Sequence, residues 1–178
     1  FAEKQRDTSL THAHTESELR RAVARRQFEL RYMPVVQLDT GSVCGFEALL
    51  RWQHPTRGLL GPAEFLKLAD ESGLLIPIGW WTIKEAAGRL AAWNQEFPSA
   101  PPLRVSVNLT ARQFNHPALI SLISHTVSRS RLPSQSLVLE IAESAVSTDW
   151  QSLIEQTSKL RQLQVQLHLD NFGAGTSS

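Results

Sequence analysis

Four oxygen-bearing side chains, Glu47, Asn108, Glu140 and Asp170, each stand at or near the end of a separate apolar, strand-like run. The runs read FEALLRW, LRVSVNLT, SLVLEIAE and VQLHLDNFG, and each passes into loop-like or helix-like sequence. Carboxylates and a carboxamide are the donors that hard divalent cations such as Mg²⁺ or Mn²⁺ prefer. If the four strands lie parallel, their carboxyl ends share one side of a sheet, where α/β folds build active sites. Each residue also has a plainer reading. Glu47 can pair with Arg51, four residues on, and taken alone that pairing is the simpler account. Asn108 alone reads as a turn residue after a strand. Glu140 lies inside an apolar run, where an unpaired carboxylate is costly to bury, so the position asks for a cation or a hydrogen-bond donor. Asp170 follows the same logic at a strand end. Glu143 reads as exposed or as a support for the site.

The elements that must position these groups alternate along the chain. Residues 1–14 are polar and aperiodic and read as linker. Thr15 and Glu18 form a capping-box pattern that opens a short helix, LRRAVARR. Strand-like runs at about 28–37 and 43–51 flank Asp39-Thr40-Gly41, a turn signal that predicts an antiparallel hairpin. Pro62 suits the first turn of a helix carrying Phe65, Leu66, Leu68 and Ala69, and Gly73 stands where that helix should end. A longer helix is predicted at about 78–96, with Trp80, Ile83, Ala87 and Leu90 on one stripe, followed by a Pro-rich breaker at 98–102. Strands at roughly 103–108, 136–141 and 165–169 then alternate with helices at roughly 116–129 and 149–163. The second helix is expected to turn Trp150, Leu153, Ile154, Thr157 and Leu160 inward. Such alternation predicts parallel βαβ units. Five strands cannot close an eight-stranded barrel, so the sheet is either open or part of a barrel.

Bulk properties narrow the function classes. With 178 residues, 42 % hydrophobic, the chain can build one domain's core. Eighteen basic against 17 acidic residues leave a net charge of +1 and no electrostatic case for bulk nucleic-acid binding. The Arg20–Arg26 cluster reads as the solvated face of the first helix. The sole cysteine, Cys44, excludes an internal disulfide, fits a reducing cytosol and reads as small apolar packing. No apolar run reaches the roughly 18 residues of a membrane span. The five tryptophans read as core or helix packing. His54, His116 and His168 lack zinc-site spacing, and Gly173 and Gly175 read as a flexible turn rather than a phosphate-binding loop.

The segment GFEALLRWQHP, with Glu47-Ala48-Leu49 inside it, resembles the signature of EAL domains, the cyclic di-GMP phosphodiesterase family. The likeness continues through PAEFLKLADESGLL (62–75), SVNLTARQF (106–114), LEIAES (139–144) and LDNFGAGTSS (169–178), in the family's order and spacing. It covers about residues 16–178. The resemblance implies an α/β fold, a modified TIM (β/α)8-type barrel with one strand running against the others, of which about five strands are expected here. It implies Mg²⁺- or Mn²⁺-dependent hydrolysis of cyclic di-GMP to pGpG. Glu47, Asn108, Glu140 and Asp170 match the family's metal ligands, with Asn171 beside them. Arg51 matches an arginine that contacts a substrate phosphate, and Leu49 a residue that packs along the nucleotide. The chemistry is coherent, since two ions about 3.5–4 Å apart can activate water and neutralise a phosphodiester, and an arginine fork suits a phosphate.

Departures from the family pattern bear on activity. Asn171 stands where a second aspartate is usual, Thr176 replaces an aromatic residue, and Met33 replaces a glutamine near the nucleotide. The family's lysine motif and general base are expected beyond residue 178, and the 16–178 segment is expected to lack the last strands and to show little catalysis by itself. An unpaired apolar edge is expected near 165–169. Further expectations are a homodimer, an upstream GGDEF or sensor domain, a cytoplasmic location with any membrane anchor elsewhere, and no membrane contact by this segment. The competing reading is a degenerate EAL domain that binds cyclic di-GMP without cutting it, or only dimerises.

Overall fold

A computed structural model describes residues 15–98, 101–143 and 150–171; the linker assigned to the first residues and the Gly173, Gly175 and Thr176 readings lie outside them. The first helix, α1, covers 15–24. It is followed by β1 (Phe28–Val36), β2 (Val43–His54) and β3 (Gly58–Leu60). A short 3₁₀ turn at Pro62–Glu64 leads to α2 (Leu66–Glu71) and the long α3 (Leu75–Glu96). Then come β4 (Arg104–Leu109), α4 (Ala111–Phe114), α5 (Leu119–Ser130), β5 (Leu137–Ala142), α6 (Trp150–Gln162) and β6 (Gln166–Asp170). The strand order is β1-β2-β4-β5-β6, with β3 paired to β2. Six strands are therefore described rather than five, the addition being β3.

Local chemistry explains the turns. Between β1 and β2 the Gln37 amide donates to the Ser42 carbonyl (2.9 Å) and Gly41 sits at φ +68°, a left-handed conformation that glycine adopts without penalty. A connection this short joins strands only as an antiparallel hairpin. The β2–β4, β4–β5 and β5–β6 pairs are parallel, while β2–β3 is antiparallel. The helix expected from Pro62 is broken at Phe65, the C-cap of the 3₁₀ turn, and restarts as α2. α3 starts three residues earlier than predicted because Pro77 fits a first helical turn.

The chain divides into two compact units, each with its own core. The first comprises residues 1–31 and 50–79. Leu19 and Ala22 of α1 are fully buried there, as are Trp52 and Phe65. Phe28, Trp52 and Phe65 form an aromatic triangle with ring centres 5.8–6.1 Å apart. His54 is buried against Trp52; its Nδ1 accepts the Thr56 and Arg57 amides, and its Nε2 lies 3.5 Å from the Glu18 carboxylate. Those two acceptor contacts on Nδ1 place the ring proton on Nε2.

The second unit comprises residues 32–49 and 80–178. Strict alternation on β4 and β5 separates two faces. Val105, Val107 and Leu109, with Leu137, Leu139 and Ile141, form a dry layer, and Ile83, Ala87 and Leu90 of α3, Leu119 and Ile123 of α5 and Leu160 of α6 are buried with them in the core of this unit. Trp93 meets Tyr32 edge-on and Phe46 at a tilt, and Trp80 meets His116 edge-on. One expectation needs correction. Ile154 is 57 % exposed, because on α6 the inward stripe narrows to half-buried Leu153 and Thr157 and buried Leu160; the Trp150 side chain lies outside the described residues. Of the two readings of Glu143, burial removes the exposed one. β6 pairs only with β5 among the described residues, and its apolar side chains are mixed in burial: Leu167 is half-buried and Leu169 exposed.

Candidate active site on the polar face of the sheet

The other face of the second unit carries the oxygen donors. Register pairs Glu47 with Ser106, Asn108 with Glu140, Glu140 with His168, and Ala142 with Asp170. Directly paired residues of parallel strands point to the same side, and so do residues two apart on one strand. Glu47, Ser106, Asn108, Glu140, His168 and Asp170 therefore share one face across four strands. Asn108, Glu140 and Asp170 stand near strand ends as expected. Glu47 instead lies inside β2, because β2 runs on to pair with β3; its position coincides with the end of the parallel pairing at Ala48–Val107.

One direct contact joins two members of the group. The Asn108 Nδ2 donates to Glu47 Oε1 at 2.7 Å, which joins residues 61 apart in sequence and leaves the Asn108 carbonyl oxygen as a possible ligand. Burial pushes the Glu140 carboxyl above its ordinary value; the Ser106 hydroxyl opposes this, the Glu47 and Asp170 carboxylates add to it, and His168 opposes it. Burial and like charge both disfavour a second and third negative charge, so a cation placed among these oxygens would lower their energy. At Asn171 the backbone is left-handed, φ +55°; its amide donates to Asp170 Oδ1 at 2.8 Å and its Nδ2 to Oδ2 at 3.0 Å. The neutral side chain thus acts as a donor to Asp170, where a carboxylate would repel it.

Among the described residues no three His, Cys, Asp or Glu side chains make a ready cage for an ion. The fit to Mg²⁺ or Mn²⁺ rests on the all-oxygen donor set, the shared face and the charge strain on Glu140. On β2, Leu49 is half-buried, while the Arg51 guanidinium donates to the Leu50 carbonyl at 2.8 Å. Met33 is about half exposed.

The loop after Asn108 is set by a reciprocal cap. Thr110 Oγ1 accepts the Gln113 amide, and Gln113 Oε1 accepts the Thr110 amide at 2.8 Å, so the chain turns sharply from β4 into α4. Sequence reasoning passed over this T-A-R-Q capping box and Ser106, and read His168 only as a core or surface residue. The signal for both was present: each stands two residues before a candidate ligand, hence on the same strand face.

A mixed sheet whose parallel strands bring acidic and amide groups to one face defines an α/β protein with a candidate cation site, and the likeness to solved EAL domains makes that sheet part of a TIM-like barrel. The family model of the EAL domain matches residues 16–178, and the chain belongs to that family. Among curated relatives, an uncharacterized signaling protein of Caulobacter vibrioides is 36 % identical over all 178 residues, which span 21 % of its length. The bifunctional diguanylate cyclase/cyclic di-GMP phosphodiesterase MucR of Pseudomonas aeruginosa is 37 % identical over 161 residues, covering 90 % of this chain and 23 % of that protein. The chain spans about a fifth of the length of these relatives. The solved structure of the MucR phosphodiesterase in complex with cyclic di-GMP superposes with a TM-score of 0.85 at 36 % identity, covering 91 % of this chain and 65 % of that one. The EAL enzyme Bd1971, bound to cAMP and cyclic di-GMP, gives 0.85 at 30 % identity over 96 % of this chain and 46 % of its own.

Proposed function

We propose that this EAL domain hydrolyses cyclic di-GMP to pGpG with the aid of Mg²⁺ or Mn²⁺. The observation that carries the reading is the shared face of Glu47, Asn108, Glu140 and Asp170, with a raised Glu140 at its centre. The similarity to proteins named as cyclic di-GMP phosphodiesterases, MucR and NbdA, and to a MucR structure holding the nucleotide, supports it. A cation held by these oxygens would supply Lewis acidity toward the phosphodiester and would lower the pKa of water. The residues of the chain do the rest. Glu47, Asn108, Glu140 and Asp170 offer oxygen ligands from a rigid sheet, with the Asn171 carbonyl oxygen beside them. Asn108 pins the Glu47 carboxylate in place. Arg51 donates to a substrate phosphate, and Leu49 packs along the nucleotide. The same reading places the domain beside a GGDEF or sensor domain in a cytoplasmic homodimer, which light scattering over a range of concentrations tests.

The decisive experiment is incubation of the full-length protein with cyclic di-GMP and Mn²⁺, with chromatographic detection of pGpG. Appearance of pGpG that is lost in Glu47→Ala is expected; no pGpG from the wild-type protein overturns the enzyme reading. Asn171 favours a second reading, nucleotide binding without hydrolysis, because its amide replaces a charge and donates to Asp170. Calorimetric binding of cyclic di-GMP with no turnover would select it.

A further inference from the structure

We infer that Ser106 is a positioning residue for the cation site: its hydroxyl fixes the Glu140 carboxylate in the orientation that faces Glu47 and Asp170. The inference rests on the cation-dependent reading above and deepens it. Ser106 occupies the middle of the site's face, paired with Glu47 on one side and Val138 on the other. Glu140 follows Val138 by two residues, so the serine stands diagonally beside it on the same face. Both side chains line a cavity of about 120 Å³, with Gly45, Arg104 and His168. Ser106 is only 8 % exposed, so its hydroxyl depends on a protein partner rather than bulk water. Register and the shared cavity put the hydroxyl beside the Glu140 carboxyl, whose upward shift it opposes; an ionised carboxylate only accepts, so the serine is the donor. A donor in that place holds one carboxylate oxygen and turns the other toward the neighbouring acids. Without it, Glu140 is free to rotate away from two like charges, and the ligand set loses its preorganised member.

The test uses the full-length protein, with Mn²⁺ affinity read by calorimetry or electron paramagnetic resonance without nucleotide. Ser106→Ala is expected to weaken Mn²⁺ binding about tenfold, the low end of what loss of a partner behind a metal ligand does. In turnover assays the loss should fall on the Mn²⁺ requirement, with added Mn²⁺ recovering rate, and not on KM for the nucleotide. Ser106→Thr, which keeps the hydroxyl, should restore binding to within about threefold of wild type. If alanine does not fold, as judged by circular dichroism, the near-isosteric Ser106→Cys with its weak donor should show the same loss. Wild-type affinity in a folded Ser106→Ala or Ser106→Cys, or an equal loss in Ser106→Thr, overturns the role of Ser106 alone. A wild-type protein that binds no Mn²⁺, and that Glu140→Gln leaves unaltered, overturns the cation-dependent reading itself and this inference with it.

Discussion

At Glu140, stability and function pull in opposite directions. A half-buried carboxyl facing Glu47 and Asp170 costs folding free energy in the cation-free protein. Glu140→Gln keeps the shape and removes the charge. It is therefore expected to raise the metal-free melting temperature while lowering pGpG formation more than about a hundredfold, beyond the effect of losing an outer partner. A variant that melts lower and still turns over would contradict both halves. Asn171 is the mirror case. In Asn171→Asp a carboxylate replaces the donor to Asp170, so the cation-free protein should lose about 1 kcal/mol, in line with a lost hydrogen bond. The melting temperature of that variant should then rise more steeply with added Mn²⁺ than that of wild type, since ligand affinity for the folded state sets the shift. Thermal scans across a Mn²⁺ series check the sign. Asp170 stood out as a candidate from its residue type at a strand end, and Glu47 only through the motif around it. Ser106 was missed although it stands two residues before Asn108 on the same strand face; that it lies beside Glu140 shows only once its neighbours across the sheet are known.

The elements hold this face through two close fits. Gly45 on β2 approaches Arg104 on β4 so tightly that an added Cβ would lie 2.7 Å from the Arg104 carbonyl oxygen, a backbone atom that cannot swing aside. Gly45→Ala must push the strands apart and is expected to cost about 1–3 kcal/mol, as overpacking does. Urea denaturation reads that loss directly; an unchanged midpoint would show that the strands yield freely. The second fit is the Thr110–Gln113 box that ends β4 just beyond Asn108. Thr110→Ala should cost about 1 kcal/mol, the usual effect of removing a helix N-cap. The parallel strands and their connecting helices were legible from alternation and helical spacing. β3 and α4 were not, being three and four residues long and too short to display a period.

For the whole molecule, alkaline pH offers a reporter of global unfolding. Burial pushes the Tyr32 hydroxyl from 10.0 up to about 12; Glu85 adds to the shift and Arg89 opposes it. A group with a raised folded value contributes stability that is complete below its unfolded pKa and is lost as pH rises through the folded one. The contribution should therefore fade between about pH 10 and pH 12, by on the order of 1 kcal/mol once partial exposure is discounted. Other groups titrate in the same range, so the difference between wild type and Tyr32→Phe isolates it. Parallel stability–pH curves for the two proteins would remove Tyr32 from the account. The near-neutral net charge belongs to the same scale and argues against sequence-independent duplex binding. No helix among the described residues is long and apolar enough to cross a membrane.

Residue type, strand period and five ordered motifs were enough, in one dimension, to identify the EAL family and the βαβ alternation and to single out the candidate oxygen donors. They suffice because apolar alternation and turn chemistry act locally, within a few residues. Which groups meet is a different matter, since it depends on the stagger of strands that lie 30 to 60 residues apart in the chain. Only the folded sheet placed the Asn108 amide on Glu47 rather than on water, set Glu140 between two acids and brought Ser106 to its side. Register decides these contacts, and a one-residue slip would have turned every one of them to the opposite face.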